Sequence, residues 1–256
     1  MLAIAHAAEQ GIAVEPPSLA PDRFRILSGS ALKVIAVAAM LVDHVAKYCL
    51  AHYSWFRAPL FRLGATEISW YTLCESAGRI AFPLFCFLLV EGFVHTHDRR
   101  AYGMNLLAFA LISEPIFDLM RSLAPFDPSY QNVFFTLLIS YLGIYALEEL
   151  RDQPRLRTYA VLGLAAASMA LRCDYGPRGF AMVMMLYVLR ENALVKTALG
   201  CCITLATWRA GLAFIPINLY NGRRGFIRGP VLKYAFYAFY PLHIYVIWRL
   251  RVYLGF

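Results

Sequence analysis

Apolar residues along the chain come in continuous blocks rather than in alternation. The blocks run over 31–52, 79–95, 103–120, 132–150, 157–171, 179–190, 194–208, 209–220 and 232–249, bounded by Arg, Lys, Asp, Glu or Pro. A hydrocarbon core of ~30 Å takes about 20 apolar residues as a helix. A backbone in lipid finds no outside hydrogen-bond partner, so a spanning segment is a helix or a strand of a closed barrel. Barrel strands alternate apolar and polar residues, and these blocks do not. The pattern predicts an all-α, polytopic transmembrane helical bundle of about 8–9 spans. The blocks between 157 and 220 are short for a crossing and read as tilted, broken or re-entrant. Residues 1–28 read as a flexible N-terminal tail, since Glu9, Glu15, Pro16, Pro17 and Pro21 interrupt every apolar run. No basic n-region precedes them, so no signal peptide is expected. Residues 29–256 read as a single transmembrane domain.

Composition strengthens the membrane reading. Hydrophobic residues make up 60% of the chain and charged residues 16%, with a mean hydropathy of +0.56. Soluble domains average roughly 45–50% and about 25%. The net charge of +8 is better explained by basic loops that orient a bundle among membrane lipids than by a nucleic-acid partner. With the N-terminus in the cytoplasm and nine crossings, 14 Lys and Arg fall inside and 8 outside, while Lys47 and Arg79 lie within the membrane. Arg249 and Arg251 count against that orientation or against the ninth span. The six cysteines form no C-x-x-C pair, so no metal or redox motif is present. They read as small core residues, with a Cys74–Cys173 disulfide between outer loops as the alternative.

Ionisable groups inside such blocks are the chemically informative positions. A charge at the centre of a spanning helix costs at least ~2.5–3.5 kcal/mol and needs a reason to be there. The first block carries Lys33, Asp43, His44 and Lys47. Lys33 and His44 are 11 residues apart, which puts them on one helical face about 16 Å apart. If Lys33 marks the interface, His44 lies near the bilayer midplane. An imidazole beside a carboxylate suits a general base. A structural cluster is the competing reading, with Asp43 and Lys47 neutralising each other at i, i+4. Further along come Arg79 before Pro83, then Glu91 and His95 at i, i+4, then Glu114-Pro115 and Asp118. Asn132 and Thr136 open the next block, and Asp174-Tyr175-Gly176 reads first as a turn. Tyr240 and His243 lie one turn apart around Pro241, which frees a backbone carbonyl. Asn221 to Arg224 form a basic, glycine-containing loop, suited to phosphates or to anionic lipid. No Walker loop, G-x-G-x-x-G, H-E-x-x-H or G-x-S-x-G is present.

These segments resemble those of the TraX family of membrane proteins, named for the conjugative F-pilin acetylase. The carrying stretches are LKVIAVAAMLVDH at 32–44, GRIAFPLFCFLLVEGFVHT at 78–96 and QNVFFTLLISYLG at 131–143, then DYGPRG at 174–179, LYNGRRG at 219–225 and FYAFYPLHIYVI at 236–247. The resemblance runs in order from about residue 30 to the end. It implies a membrane-embedded N-acetyltransferase of the bacterial inner membrane. Acetyl-CoA would be the donor, with no metal, and a pilin N-terminus or another envelope amine, such as one on a glycan, would be the acceptor. The Lys33-to-His44 spacing is also similar to a signature of the broader transmembrane acyltransferases. Carried over, His44 becomes the base or acyl relay, and Asp43 its orienting partner. Lys33, Arg79, Asn221, Arg223 and Arg224 become donor-binding residues. Glu91, Asn132, Asp174, Tyr240 and His243 become chamber residues. An ion-coupled transporter, or a noncatalytic partner in pilus or secretion assembly, is the alternative.

Overall fold

In the computed structural model, residues 17–64 and 66–255 are described. The chain is an α-helical bundle, as the apolar blocks predict. Its helices are α1 (Gly29–Leu50), the short α2 (Ser54–Arg57), α3 (Trp70–Gly78), α4 (Ala81–His95) and α5 (Arg99–Ser122). Then follow α6 (Val133–Glu149), α7 (Pro154–Ala170), α8 (Gly176–Val188), α9 (Ala193–Ile203), α10 (Phe214–Asn218) and α11 (Gly229–Tyr253). A small antiparallel hairpin, β1 (Phe61–Leu63) with β2 (Thr66–Ile68), decorates the connection between α2 and α3.

Local chemistry sets the helix ends. The Ser28 hydroxyl caps α1 by accepting from Ala31 N–H, and Ser69 and Thr72 close a reciprocal capping box on α3. Side-chain oxygens of Asp98, Asn132 and Asn192 cap α5, α6 and α9. Each cap satisfies an N–H that the helix itself leaves open. The last turn of α1, Ala46–Leu50, widens to a π-helix, a distortion that recurs at functional sites.

Packing places α4 at the centre. It lies against α1, α6 and α8, while α6 also contacts α5 and α7, and α11 packs on α5 and α1. Leu32 and Ala36 of α1, Leu84, Val90 and Phe93 of α4, Tyr141 and Ile144 of α6 and Val183 and Leu186 of α8 make the buried core. The outer face is apolar as well: Leu111, Ile112, Leu162, Val188 and Val246 are exposed. Water would penalise such a surface and lipid covers it without cost. Among the described residues, three segments are long and apolar enough to cross a membrane: Gly29–Leu50, Trp70–His95 and Arg99–Ser122.

Two expectations change. The blocks 194–208 and 209–220 are not two spans. Helix α9 ends where the Thr204 hydroxyl bonds back to the Gly200 and Cys201 carbonyls. A 3₁₀ run, Leu205–Ala213, follows with non-helical backbone at Thr207, and then the five-residue α10. Gly200 admits this fold-back, because a β-carbon there would fall within 2.6 Å of the Phe214 ring. The Cys74–Cys173 disulfide does not form, and all six cysteines are free. Of the expected tail, 1–16 lie outside the described residues. Leu27 pairs with Tyr220: its N–H donates to the Leu219 carbonyl at 3.0 Å, and its carbonyl accepts from Asn221 N–H at 2.9 Å.

A candidate active site around a histidine pair

His44 projects from α1 and His243 from α11, and the two rings meet. His44 Nδ1 lies 2.7 Å from His243 Nε2, with ring planes 6° apart and centroids separated by 5.0 Å. That centroid distance is about the N–N gap plus both ring radii, so the imidazoles touch edge to edge in one plane. His243 Nδ1 lies 2.8 Å from the Phe239 carbonyl, one turn back across Pro241. A carbonyl only accepts, so His243 carries its proton on Nδ1 and offers a lone pair at Nε2. His44 must then donate from Nδ1, and its lone pair is at Nε2. Among the described residues nothing bonds that nitrogen. The network thus presents an unprotonated imidazole nitrogen in a fixed direction, the state a general base requires. Tyr48 and Tyr240 pack edge-on against His44 and His243, and Phe239 stacks on His243.

Asp43 does not orient His44. Consecutive residues on a helix diverge by about 100°, and Asp43 points instead at the junction between α3 and α4. A β-carbon at Gly78 would sit 2.7 Å from Asp43 Oδ1, so only glycine admits this approach. Next to it Arg79 holds Glu75 at 2.8 Å, and Arg209 reaches the same carboxylate at 4.0 Å. Thr207 and Trp208 join these three around a recess of about 220 Å³. The Asp43–Lys47 ion pair of the competing structural reading does not close either.

Asp174 approaches the same region from the turn between α7 and α8. Its carboxylate accepts from the Tyr130 hydroxyl at 3.2 Å and from the Tyr175 N–H at 3.1 Å. Burial raises the Asp174 carboxyl above its ordinary range, against those bonds and the Lys47 and Arg121 charges. Burial and the Asp174 charge push the Tyr130 phenol up to about 12, so it remains a donor. Burial pushes the neighbouring Cys173 thiol up to about 11, which keeps it protonated and unreactive. Arg172 and Tyr175 in this turn have φ of 49° and 62°, strain of ~1–3 kcal/mol each for non-glycine residues.

The remaining sequence candidates separate into two other groups. Asn132, fully buried, is consumed by the fold. Its Oδ1 caps Phe134 N–H at 2.9 Å, and its amide donates to the Ala110 carbonyl at 2.9 Å and to Glu114 Oε2. Glu91 lies toward the N-terminal end of α1, away from the histidines, because α4 runs antiparallel to α1. It accepts from Tyr220 and feels Lys196, which is only 3% exposed. Glu91 Oε2 is left without a hydrogen bond. The basic loop closes over that same end. Gly29 N–H donates to the Arg223 carbonyl at 2.8 Å, and Ser30 N–H to the Arg224 carbonyl at 2.9 Å. Asn221 Oδ1 accepts from Arg223 N–H at 3.0 Å. The backbone is thereby fixed, while the Arg223 and Arg224 side chains stay exposed and, among the described residues, unpaired. Lys33 faces Arg224. Arg79 is therefore not part of the Lys33–Asn221–Arg223–Arg224 group and belongs with Asp43. Glu75 and Arg209 were not anticipated; both sit in ordinary polar punctuation of the sequence, with no signal that would single them out.

Comparison with known proteins agrees with the motif pattern. The family described as TraX protein matches residues 28–251. The chain belongs to the TraX family. This TraX-family chain is also 30% identical, over 251 residues, to a protein of Dichelobacter nodosus named "Probable fimbrial assembly protein FimC, serogroup H1". The match covers 87% of this chain and 95% of that relative. No solved structure matches the chain. Family and fold together identify a helical membrane protein.

Proposed function

We propose that this TraX-family chain is an N-acetyltransferase of the bacterial inner membrane, with its N-terminus in the cytoplasm and residues 29–256 forming one catalytic domain. It moves the acetyl group of cytoplasmic acetyl-CoA to an amine, either a pilin N-terminus or another envelope amine. The observation that carries this reading is the His44–His243 pair, whose bonding leaves His44 Nε2 open. His44 Nε2 takes a proton from the amine as its nitrogen forms a bond to the acetyl carbon. The carbonyl electrons move onto oxygen, then return as the carbon–sulfur bond breaks. The departing thiolate takes the proton back from His44 and leaves as CoA. His243 holds the tautomer and shares the imidazolium charge. Arg79, in the Asp43 group, supplies positive charge toward the oxyanion. The exposed Arg223 and Arg224 with Lys33 suit the donor's phosphates, at the opposite end of α1 from Asp43.

Free thiol released from acetyl-CoA by the purified protein, with a synthetic peptide bearing a free N-terminus as acceptor, tests this reading. His44→Ala is expected to abolish release while the melting temperature holds. Undiminished release from that variant ends the reading. The relative's name favours a second possibility, a noncatalytic role in fimbrial assembly. Under it, His44→Ala and His243→Ala cells would assemble surface fibres normally.

A further inference from the structure

The turn between α7 and α8 holds a side chain with no role in the chemistry just described. Tyr175 is bulky, yet its backbone is left-handed, at φ 62° and ψ −16°, a conformation that glycine or asparagine would adopt at lower cost. What tyrosine adds is its ring. The ring lies flat on Phe82 of α4, with centroids 3.5 Å apart and planes within 3°. Gly179, one turn into α8, permits the stack, because a β-carbon there would fall 2.8 Å from Phe82 Cζ and 2.9 Å from Tyr175 Cβ. The preceding residue is tied down as well, its carbonyl accepting from the Thr136 hydroxyl. Helices α4, α6 and α8 therefore fix the position of one phenol.

That phenol faces the candidate site. Asp43 and Arg79 act on it from one side and Asp174 from the other, and Asp174 in turn feels Lys47, a turn beyond His44. Tyr175 keeps 44% of its surface accessible, so its hydroxyl is open to a bound molecule. The neighbouring Tyr130 hydroxyl is already spent as a donor on Asp174, and the Tyr240 oxygen accepts the Val133 N–H. Among the described residues nothing bonds the Tyr175 hydroxyl. A strained, over-determined side chain with an unused donor beside Asp43, Arg79 and Asp174 indicates function.

We propose that the Tyr175 hydroxyl contacts the substrate, donating a hydrogen bond to the acetyl carbonyl oxygen as the tetrahedral centre forms. This rests on the acetyl-transfer reading. Burial raises the phenol's pKa, so it stays protonated at neutral pH and is available as a donor. The test is CoA release from acetyl-CoA with the peptide acceptor, by Tyr175→Phe and Tyr175→Asn in the full-length protein. Tyr175→Phe keeps the ring stack and Tyr175→Asn tolerates the left-handed backbone. Loss of one donor to an oxyanion lowers kcat about 10²–10³-fold. That loss, with KM for acetyl-CoA and the melting temperature of Tyr175→Phe unchanged, supports the proposal. Wild-type kcat in either variant overturns it. So does a rise in KM alone, or a loss of activity that follows a loss of folding in Tyr175→Phe. A wild-type protein that releases no CoA refutes the acetyl-transfer reading itself, before any variant is made.

Discussion

His243 decides which nitrogen of His44 is available, and it does so from 199 residues away. Substituting it removes the acceptor for His44 Nδ1–H and frees the ring to take the wrong tautomer. His243→Phe is expected to lower kcat by about 10²–10⁴-fold with little change in KM, by analogy with other tautomer-setting partners. A steady-state titration of acetyl-CoA checks this. Gly78 is the other single position under tight constraint. Gly78→Ala pushes a methyl group into Asp43 and is expected to cost about 1–3 kcal/mol as overpacking, read as a lower melting temperature. Asp174 makes a pH-dependent prediction. Its carboxyl titrates above the ordinary range in the fold, so its contribution is most favourable below the unfolded value and declines as pH rises through the folded value. Asp174→Asn keeps an oxygen for Tyr130 and Tyr175. Its melting temperature relative to wild type should therefore rise as pH climbs from the ordinary carboxylate range through the raised folded titration, and level off above it. His44 was legible in the sequence because it interrupts an apolar run at mid-depth. His243 was legible as a residue of the same chamber, but not as the orienting partner: adjacency suggested Asp43 for that role, and adjacent helical residues point about 100° apart.

Helices were the most legible elements. Apolar blocks of near-spanning length admit no other backbone in lipid, and α1, α4, α5 and α6 fall where the blocks do. The region 194–220 was legible only as short. Its break depends on Thr204 bonding backward and on Gly200 receiving Phe214, contacts that hydropathy does not encode. Asn132 shows the same limit at a helix start. A polar residue opening an apolar block reads equally as a chamber group or as a cap, and the structure engages its side chain in capping. Asn132→Ala removes the cap of α6 and the side-chain amide that donates to Glu114, leaving Glu114 only the backbone N–H of residue 132. It is expected to destabilise the protein by about 1–3 kcal/mol, measured by thermal or chemical unfolding in detergent, whatever the effect on activity.

Across the whole molecule, α1 links two chemically different ends. One end carries the fixed basic loop and Lys33; the other carries Asp43, Arg79 and the histidine pair, about one 16 Å helical span away. Net charge alone suggested only orientation in a membrane. On the acetyl-transfer proposal the loop's exposed guanidinium groups hold the donor's phosphates, so Arg223→Ala combined with Arg224→Ala should raise KM for acetyl-CoA about tenfold or more, with kcat largely retained and the effect shrinking at high salt. Family membership was legible from ordered motifs, whereas the way those motifs converge was not, since their spacing in sequence says nothing of which helices touch. The central claim is that His44 and His243 act as one unit in proton transfer. A double-mutant cycle on CoA release tests it most directly, with His44→Ala, His243→Ala and the combined variant measured side by side. Residues acting as a unit give losses far from additive, so the combined variant should be no slower than the worse single variant. A combined loss equal to the product of the single losses would contradict the account.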